Sequence, residues 1–334
     1  MPDNYGTVHS DRCRRVYAHG VRMSSLYWDD FERREIETVD CLKNNVSIPV
    51  RRVAVFITQR CNFGCLYCNV SQTPRTMEQY VFENLLSRYG KGAIIHITGG
   101  DPSCVNWLYP LINSSNYKFN LNTNAYIKPP HKNIDRMKIS FDSCNKNQFN
   151  KLVNRINAFD KVVKHIKEAS ETSTVSLTCV LSKQTYLQTP ELSRFVFKTF
   201  PKIYALFFSI YKGGNPAFVL SQQDIDTFYN DIRPKLELNN ESLELLNETI
   251  DAKFRIEQGI RFPDNNILEP CYLSMSERVI DVWGNEFTCS HLYRDGIFQI
   301  EPIKHERCLY GCNTRLVKFN NDVSNKLNRN GGHN

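Results

Sequence analysis

The stretch VAVFITQRCNFGCLYC, residues 53–68, joins a short apolar run to three closely spaced cysteines. Val53–Thr58 is apolar up to its last residue, which is typical of a strand buried on both faces of a parallel sheet. Cys61, Cys65 and Cys68 follow directly, ahead of a stretch whose apolar residues have helical spacing. The pattern therefore predicts a loop that presents three thiols between a buried strand and a helix.

Three thiolates at this spacing suit a [4Fe–4S] cluster, because cysteine is the standard ligand of such clusters. The loop has no fourth cysteine, so one iron would stay open to a small molecule that carries an amine and a carboxylate. A zinc site and three unrelated buried cysteines are the alternatives. A zinc site would need a fourth ligand nearby, and no residue beside these cysteines is a histidine.

The loop from Cys61 to Cys68 resembles the cluster-binding loop of the radical S-adenosylmethionine (SAM) superfamily. The resemblance implies that SAM binds the open iron and that Tyr67 packs near its adenine. It also implies that an electron donor of the flavodoxin or ferredoxin type reduces the cluster. SAM would then be cleaved to methionine and a 5′-deoxyadenosyl radical, which removes a hydrogen atom from the substrate.

Six apolar runs predict the strands of the fold. These are Val53–Thr58, Ala93–Thr98, Lys118–Thr123, Met137–Asp142, Thr174–Leu181 and Tyr204–Tyr211. Their alternation with helical patterns, one of which covers Gln148–Ala169, predicts an α/β fold of parallel β/α units. The resemblance spans residues 51–211 and implies a partial (β/α)6 TIM-like barrel. The connection from Asn124 to Arg136 contains two prolines and is too short for a good helix, so we expect an irregular crossover there.

Further candidate SAM contacts follow the predicted strands. They are Gly99, Gly100, Asp101, Pro102, Asn124, Ser140 and Asp142. The first four resemble the family's GGEP motif, with aspartate in place of glutamate, and Ala125 stands where the family has a glycine. Carboxyl ends of parallel strands converge at the mouth of a barrel, so a shared ligand site is geometrically sensible. The alternative for each segment is local, such as an ordinary turn or a helix cap.

A second group of four cysteines lies in the C-terminal part of the chain. It consists of Cys271, Cys289, Cys308 and Cys312. The first two flank a predicted hairpin that turns at Gly284–Asn285. The group resembles the ligands of a twitch domain, which implies one closed auxiliary [4Fe–4S] cluster. A structural zinc site and unrelated cysteines remain alternatives, and His291 is an alternative ligand.

Three other cysteines are candidates for a catalytic thiol. Cys104 and Cys144 come just after the second and fourth predicted strands, and Cys179 lies within the fifth. The resemblance implies that such a thiol donates a hydrogen atom to a substrate radical in radical SAM epimerases. The alternative is that each is a small buried apolar residue.

These assignments divide the chain into four parts. Residues 1–50 form an N-terminal extension, residues 51–235 the core and residues 236–319 a twitch-like domain with a hairpin and helices. Residues 320–334, rich in asparagine and glycine, are expected to form a flexible tail.

Composition and resemblance together limit the possible functions. The 334-residue chain is 41% hydrophobic and carries a net charge of +7, and its polar N-terminus has no apolar signal segment. We expect a cytoplasmic enzyme with no membrane partner. Its substrate would be a peptide or small molecule, such as a natural-product intermediate, undergoing oxidation, cross-linking or epimerisation. Modification of a nucleotide or nucleic-acid base is an alternative that the positive charge weakly favours, and a non-catalytic Fe–S or zinc scaffold is another.

Overall fold

The computed structural model describes residues 28–68, 72–211, 213–257, 271–289 and 314–328. The strands are β1 (Arg52–Thr58), β2 (Ile94–Gly99), β3 (Phe119–Thr123), β4 (Ile134–Ser140), β5 (Thr174–Leu181), β6 (Ala205–Ile210), β7 (Glu277–Ile280) and β8 (Glu286–Phe287). The α-helices are α1 (Trp28–Lys43), α2 (Gln79–Tyr89), α3 (Leu108–Ser114), α4 (Lys146–Leu152), α5 (Ala158–Ser170), α6 (Thr189–Thr199), α7 (Gln222–Thr227), α8 (Asn240–Glu257), α9 (Tyr272–Ser276) and α10 (Thr314–Asn328).

The eight strands form one sheet in the order β6-β5-β4-β3-β2-β1-β7-β8. All neighbouring pairs are parallel except β7 and β8, which form an antiparallel hairpin. Alternate side chains of β1 and β2, such as Val55 and Ile97, are fully buried in the apolar core. The intervening positions include Arg52 and His96, so the opposite, concave face of the sheet is markedly more polar. The predicted α/β fold with a partial, unclosed barrel is confirmed.

Two connections show how the sequence directs the chain. Between β3 and β4 there is an irregular crossover without a helix, as expected from its prolines. The helical pattern predicted over Gln148–Ala169 is instead divided between α4 and α5. Asn154 and Asn157 adopt left-handed backbone conformations with φ of 48° and 56°, which ends one helix and starts the next at a new angle.

The C-terminal part of the chain is continuous with the core sheet. Strand β7 lies directly beside β1, with Glu277 opposite Arg52. From α1, the buried Arg34 donates hydrogen bonds to Ser276 Oγ (2.7 Å) and Glu277 Oε1 (3.1 Å). The predicted hairpin therefore closes one edge of the barrel sheet, and no gap in the sheet separates it from the core.

The expected flexible tail is partly helical. Helix α10 runs to Asn328, and its Phe319 and Val323 are buried in a small apolar cluster with Cys271 and Val39. The prediction was wrong for residues 320–328 because apolar residues at helical spacing outweigh the asparagines between them. No helix among the described ranges has both the length and the apolar character needed to cross a bilayer.

Candidate metal and cofactor site

The loop with Cys61, Cys65 and Cys68 is fixed to the α4–α5 connection by its backbone. Gly64 N donates to the carbonyl of Val153 (3.1 Å), and Leu66 N donates to the carbonyl of Leu152 (2.9 Å). Phe63, just before Gly64, is buried and contacts the rings of Tyr126 and Phe149, with ring centroids 5.5 and 6.5 Å apart. The loop is therefore held in place by its own apolar anchor and by a neighbouring element.

The three thiols are set at different depths. Cys61 and Cys65 are partly buried, whereas Cys68 is exposed. Burial raises the pKa of the Cys61 thiol to about 11. Burial, followed by the negative charges of Asp142 and Cys61, raises the pKa of Cys65 to about 12. The thiols of Cys61 and Cys65 therefore become thiolates together at neutral pH only when a strong positive centre lies beside them.

This donor set fits a cluster better than a single ion. Within the described residues, no three Cys, His, Asp or Glu side chains converge closely enough to hold one metal ion. The loop thiols nevertheless influence one another electrostatically. A cubane spreads its ligands around four irons, so its cysteines lie farther apart than those of a tetrahedral zinc site. Three thiols on one short loop are the donors that a [4Fe–4S] cluster uses, and their role as its ligands stays a prediction.

Asn124 connects the end of β3 to the cysteine loop. Its amide nitrogen donates to Asn62 Oδ1 (2.7 Å) and lies 3.7 Å from the sulfur of Cys61. Asn62 in turn donates to Ser103 Oγ (3.0 Å), just after β2. Asn124, a candidate SAM contact, is thus placed against a predicted cluster ligand. Sequence reasoning missed the part played by Asn62.

The carboxylate of Asp101 accepts hydrogen bonds from within the protein. It is buried and accepts hydrogen bonds from the backbone of Asn124 (2.7 Å) and Ser103 (2.9 Å) and from Thr123 Oγ1 (3.0 Å). Burial still raises its pKa above the usual value. Asp101 therefore ties the ends of β2 and β3 together, and Pro102 continues from it into a buried 3-10 turn.

The two glycines before Asp101 allow close approach of the β1 end. A Cβ on Gly99 would lie 2.3 Å from the carbonyl oxygen of Thr58, and one on Gly100 would lie 2.2 Å from that of Arg60. Gly99 also has a φ of 144°, which side chains rarely allow. The glycine pair thus brings the loop after β2 directly against the base of the cysteine loop.

The fourth-strand candidates differ in exposure. Ser140 is exposed at the carboxyl end of β4, where its hydroxyl is open to a ligand. Asp142 is buried; its carboxylate accepts from Val180 N (2.7 Å) and from the phenol of Tyr67. Burial raises the pKa of Asp142 to about 6. Burial and the Asp142 charge raise the pKa of Tyr67. Asp142 therefore links β4, β5 and the cysteine loop.

Ala125 keeps the backbone shape expected of the glycine it replaces. Its φ is 55°, in the left-handed region, and it is fully buried. Its N–H donates to Thr123 Oγ1 (3.1 Å). The substitution is therefore accommodated with the turn after β3 preserved.

The three candidate catalytic thiols are not equivalent. Cys104 is half-buried near Asp101, and burial raises its pKa. Burial and Glu191 raise the pKa of Cys144 to about 11. Cys179 is fully buried in the apolar core, behind the carbonyl of Asp142, so its sulfur faces away from the concave side. A role for any of them stays a prediction, and the position of Cys179 is the least favourable.

The second cysteine group is described only in part. Cys271 is buried immediately before α9, and Cys289 follows β8. Cys308, Cys312 and His291 lie outside the described residues. The β7–β8 hairpin between the first two cysteines is present, with its turn at Gly284 (φ 87°). Their ligand role stays a prediction.

The concave face carries a group of cations that sequence reasoning did not single out. Lys138 lies in the middle of β4 with its ammonium 5.0 Å from the centre of the Phe207 ring. Burial, then the charges of Arg52 and Arg136, lower the pKa of Lys138 to about 8. No ion pair of Lys138 is present in the described part of the chain, whereas Arg52 lies 3.5 Å from Glu277 Oε1. The period-two alternation of β4 was the signal that could have revealed this group.

Comparison with known proteins agrees with this geometry. Residues 55–196 match the sequence profile of the Radical SAM superfamily. The matched segment covers less than half of the chain. It contains the cysteine loop, both glycines and the ends of β2 to β4. The chain is also similar to a probable GTP 3′,8-cyclase of Pyrococcus horikoshii, with 27% identity over 141 residues, covering 37% of this chain and 44% of that protein.

Solved structures share the fold over a longer range. SuiB of Streptococcus suis bound to its precursor peptide SuiA matches with a TM-score of 0.53 and 18% identity, covering 81% of this chain and 65% of SuiB. The SAM-bound form of SuiB matches with a TM-score of 0.51 and 16% identity, covering 88% of this chain and 71% of SuiB. At these identities the likeness concerns the fold. The chain spans less than two thirds of the archaeal relative and of the peptide-bound SuiB.

Proposed function

We propose that this protein is a radical SAM enzyme that cleaves SAM reductively and abstracts a hydrogen atom from its substrate. The observation that carries this proposal is the loop of Cys61, Cys65 and Cys68, held against Asn124 at the mouth of a partial barrel. A [4Fe–4S] cluster with an open iron, bound there, would supply the electron that cleaves SAM.

The chain's own residues would hold the reactants in place. Cys61, Cys65 and Cys68 would bind the cluster, and the exposed Ser140 is available to SAM at the same edge of the sheet. Asp142 holds Tyr67 through a buried hydrogen bond, which keeps the aromatic ring beside the last cysteine. The polar concave face would receive the substrate and limit access of water to the radical.

Formation of 5′-deoxyadenosine tests the proposal. Anaerobically reconstituted protein, reduced with dithionite and given SAM, is expected to release 5′-deoxyadenosine and methionine. Cys65→Ala is expected to abolish this product, whereas Cys41→Ala, which changes a cysteine on α1, is expected to retain it. Retention of full activity by Cys65→Ala would contradict the assignment, and absence of cleavage by wild type would favour a non-catalytic scaffold.

We further propose a closed auxiliary [4Fe–4S] cluster on Cys271, Cys289, Cys308 and Cys312. Support comes from the β7–β8 hairpin that the first two cysteines flank. Such a cluster would accept the electron that the substrate radical gives up when it is oxidised. Reconstituted protein is then expected to hold about eight irons per chain, and a Cys271→Ser/Cys289→Ser variant about four. Four irons in wild type, or zinc retained at the C-terminal cysteines, would contradict this proposal.

For the substrate, we propose a peptide or natural-product intermediate that undergoes oxidation, cross-linking or epimerisation. The fold shared with peptide-bound SuiB supports a barrel mouth that can admit a peptide. In a deuterated buffer, epimerisation predicts one solvent deuterium at the product carbon. Oxidation and cross-linking predict a mass loss of about two hydrogens instead.

A second candidate substrate is a nucleotide. The specific observation in its favour is the cationic concave face of Arg52, Arg136 and Lys138, which suits a phosphate group. Incubation with a panel of nucleotides should then increase SAM cleavage over the substrate-free rate. An increase with peptides and none with nucleotides would exclude this candidate.

A further inference from the structure

A basic surface lies next to the cysteine loop, where α4 passes into α5. We call it the Tyr126 surface; it consists of Tyr126, Lys151, Arg155, Ile156 and Lys161. These residues, with three asparagines, line a shallow cavity of about 750 Å³, and no aspartate or glutamate is among the lining residues. The neighbouring Asp160 is paired with Lys146 (2.5 Å), which leaves the surface positive.

Two of the cations are gathered on one aromatic ring. The guanidinium carbon of Arg155 lies 4.9 Å from the centre of the Tyr126 ring, and Lys161 Nζ lies 4.5 Å from it. Lys161 Nζ is also 3.3 Å from the Tyr126 hydroxyl. Hydrogen bonding to Arg155 and then to Lys161 lowers the pKa of the Tyr126 phenol, which is the response expected of a positive environment. The two exposed cations are thus held in place by the ring.

An apolar side chain stands among these charges. Ile156 is 82% exposed, on a turn whose flanking residues Asn154 and Asn157 have φ of 48° and 56°. A single exposed apolar residue has little meaning alone. Surrounded by cations on an ordered turn, it has the composition of a protein-binding patch with an apolar centre and a charged rim.

The Tyr126 surface contacts the cysteine loop directly. The Val153 and Leu152 carbonyls accept hydrogen bonds from Gly64 and Leu66, and the Tyr126 ring packs on Phe63 within the loop. A protein seated on this surface would therefore lie next to the loop that carries the predicted cluster ligands. Electron transfer requires such proximity, and the proposed reaction requires one electron from outside the chain.

We propose that the Tyr126 surface is the docking site of an acidic one-electron donor protein that reduces the cluster. The inference rests on the proposed function and extends it by locating the partner. The donor loses one electron and the cluster gains it, and no bond or proton is exchanged. Charge complementarity steers encounter with an acidic partner, and Ile156 supplies an apolar contact.

A charge-reversal experiment with two reductants tests the inference. Holoenzyme carrying Arg155→Glu/Lys161→Glu is supplied either with reduced acidic flavodoxin or with dithionite, and 5′-deoxyadenosine is quantified. The flavodoxin-supported rate is expected to fall by about tenfold or more at low salt, while the dithionite-supported rate stays at the wild-type value. Raising the salt should slow the wild-type flavodoxin reaction and leave the variant nearly unaffected.

The matched control is Lys91→Glu/Lys118→Glu, which makes the same change of charge. These lysines are exposed and lie around the amino ends of β2 and β3, away from the cysteine loop. The control is expected to keep both rates. Unchanged flavodoxin-supported turnover in Arg155→Glu/Lys161→Glu would overturn the inference, as would an equal loss in the control.

A second variant covers the case in which charge reversal perturbs the loop itself. Ile156→Asp changes only the exposed centre, and it should weaken flavodoxin binding to the holoenzyme by calorimetry while dithionite-driven cleavage is kept. Unchanged binding by Ile156→Asp would count against docking at this surface. If the double variant loses binding to a short DNA duplex or to tRNA and keeps its flavodoxin-supported rate, the surface binds nucleic acid and the inference is wrong. Absence of dithionite-driven cleavage in wild type contradicts the proposed function instead, so the two failures are distinguishable.

Discussion

The phenol of Tyr67 donates a hydrogen bond to the buried carboxylate of Asp142, across 75 residues of sequence. The other carboxylate oxygen, Asp142 Oδ1, accepts a hydrogen bond from Val180 N near the end of β5. One carboxylate therefore fastens the cysteine loop to two central strands. Because the loop follows β1, this hydrogen bond spans the barrel mouth.

We expect Tyr67→Phe to lower the free energy of unfolding by about 1–3 kcal/mol, because it removes one partner of a buried carboxylate. The reconstituted cluster should also be lost faster in air, since the loop is less firmly held. Chemical denaturation and the decay of cluster absorbance measure the two effects. Tyr80→Phe is the matched control, because Tyr80 is 65% exposed and the same change there should be within about 0.5 kcal/mol of neutral. Equal stability of the two variants would show that the hydrogen bond contributes nothing to the fold.

Gly100→Ala should be among the most damaging single-methyl changes in the domain. The added Cβ would lie 2.2 Å from the carbonyl oxygen of Arg60 and 2.6 Å from its carbon, both rigid backbone atoms. We expect a loss of about 2 kcal/mol or more and poor iron incorporation, because the base of the cysteine loop must move. Gly214→Ala is the control, since nothing lies within 4 Å of its Cβ position. Thermal unfolding that is unchanged in Gly100→Ala would show that the two loops separate easily.

Features of this site that depend on residues close together in the sequence could be predicted, whereas contacts between distant residues could not. The apolar runs identified all six core strands, because the positions that face the helices keep apolar residues. The expectation of apolar residues on both faces was wrong, since the concave face carries Arg52, His96 and Lys138. The three-cysteine loop could also be identified, because its cysteines lie close together in the sequence. The hydrogen bonds of Asp101 and Asp142 were not accessible, because a sequence does not show which distant donors reach a buried carboxylate. The resemblance implies SAM contacts for both aspartates, which stay a prediction, and the structure adds that both carboxylates accept hydrogen bonds from the protein itself.

The C-terminal segment shows a different limit. Its hairpin was predicted from Gly284–Asn285, but the pairing of β7 with β1 depends on a register set across more than 200 residues. The sequence composition predicts a flexible end because of its asparagines, whereas the burial of Phe319 and Val323 stabilises a helix there. The break between α4 and α5 was missed for a similar reason, since asparagine is tolerated in a helix and also readily adopts the left-handed conformation.

Asn124→Ala should alter the electronic properties of the cluster more than its binding. The Asn124 amide is 3.7 Å from the sulfur of Cys61, and a donor near a ligand sulfur stabilises the more negative, reduced state. We expect a lower reduction potential and slower 5′-deoxyadenosine formation with a mild reductant, at nearly full iron content. A potential titration followed by electron paramagnetic resonance measures the shift. Asn116→Ala, at an exposed position, should leave the potential unchanged. A wild-type potential in Asn124→Ala would mean that the amide only orients Asn62.

Lys138→Met should increase stability at neutral pH in the protein without substrate. Lys138 is held on the concave face beside Arg52 and Arg136, and its pKa is lowered from 10.5 to about 8. The folded protein thus binds this proton less tightly than the unfolded chain does. The resulting penalty is complete below pH about 8, decreases as the pH rises toward 10.5, and is absent above that value.

The difference in unfolding free energy between Lys138→Met and wild type should follow that profile. It should be largest at pH 7, where both states of wild type carry the proton, and should shrink between pH 8 and 10.5. Denaturant unfolding at several pH values provides the measurement. The same measurements on Lys91→Met, at an exposed lysine, provide the matched control. A Lys138→Met variant that is less stable than wild type at pH 7 would mean that packing of the lysine stem on Phe207 outweighs the charge. A difference that does not change with pH would show that Lys138 titrates normally, and that the cationic concave face remains hydrated before any substrate arrives.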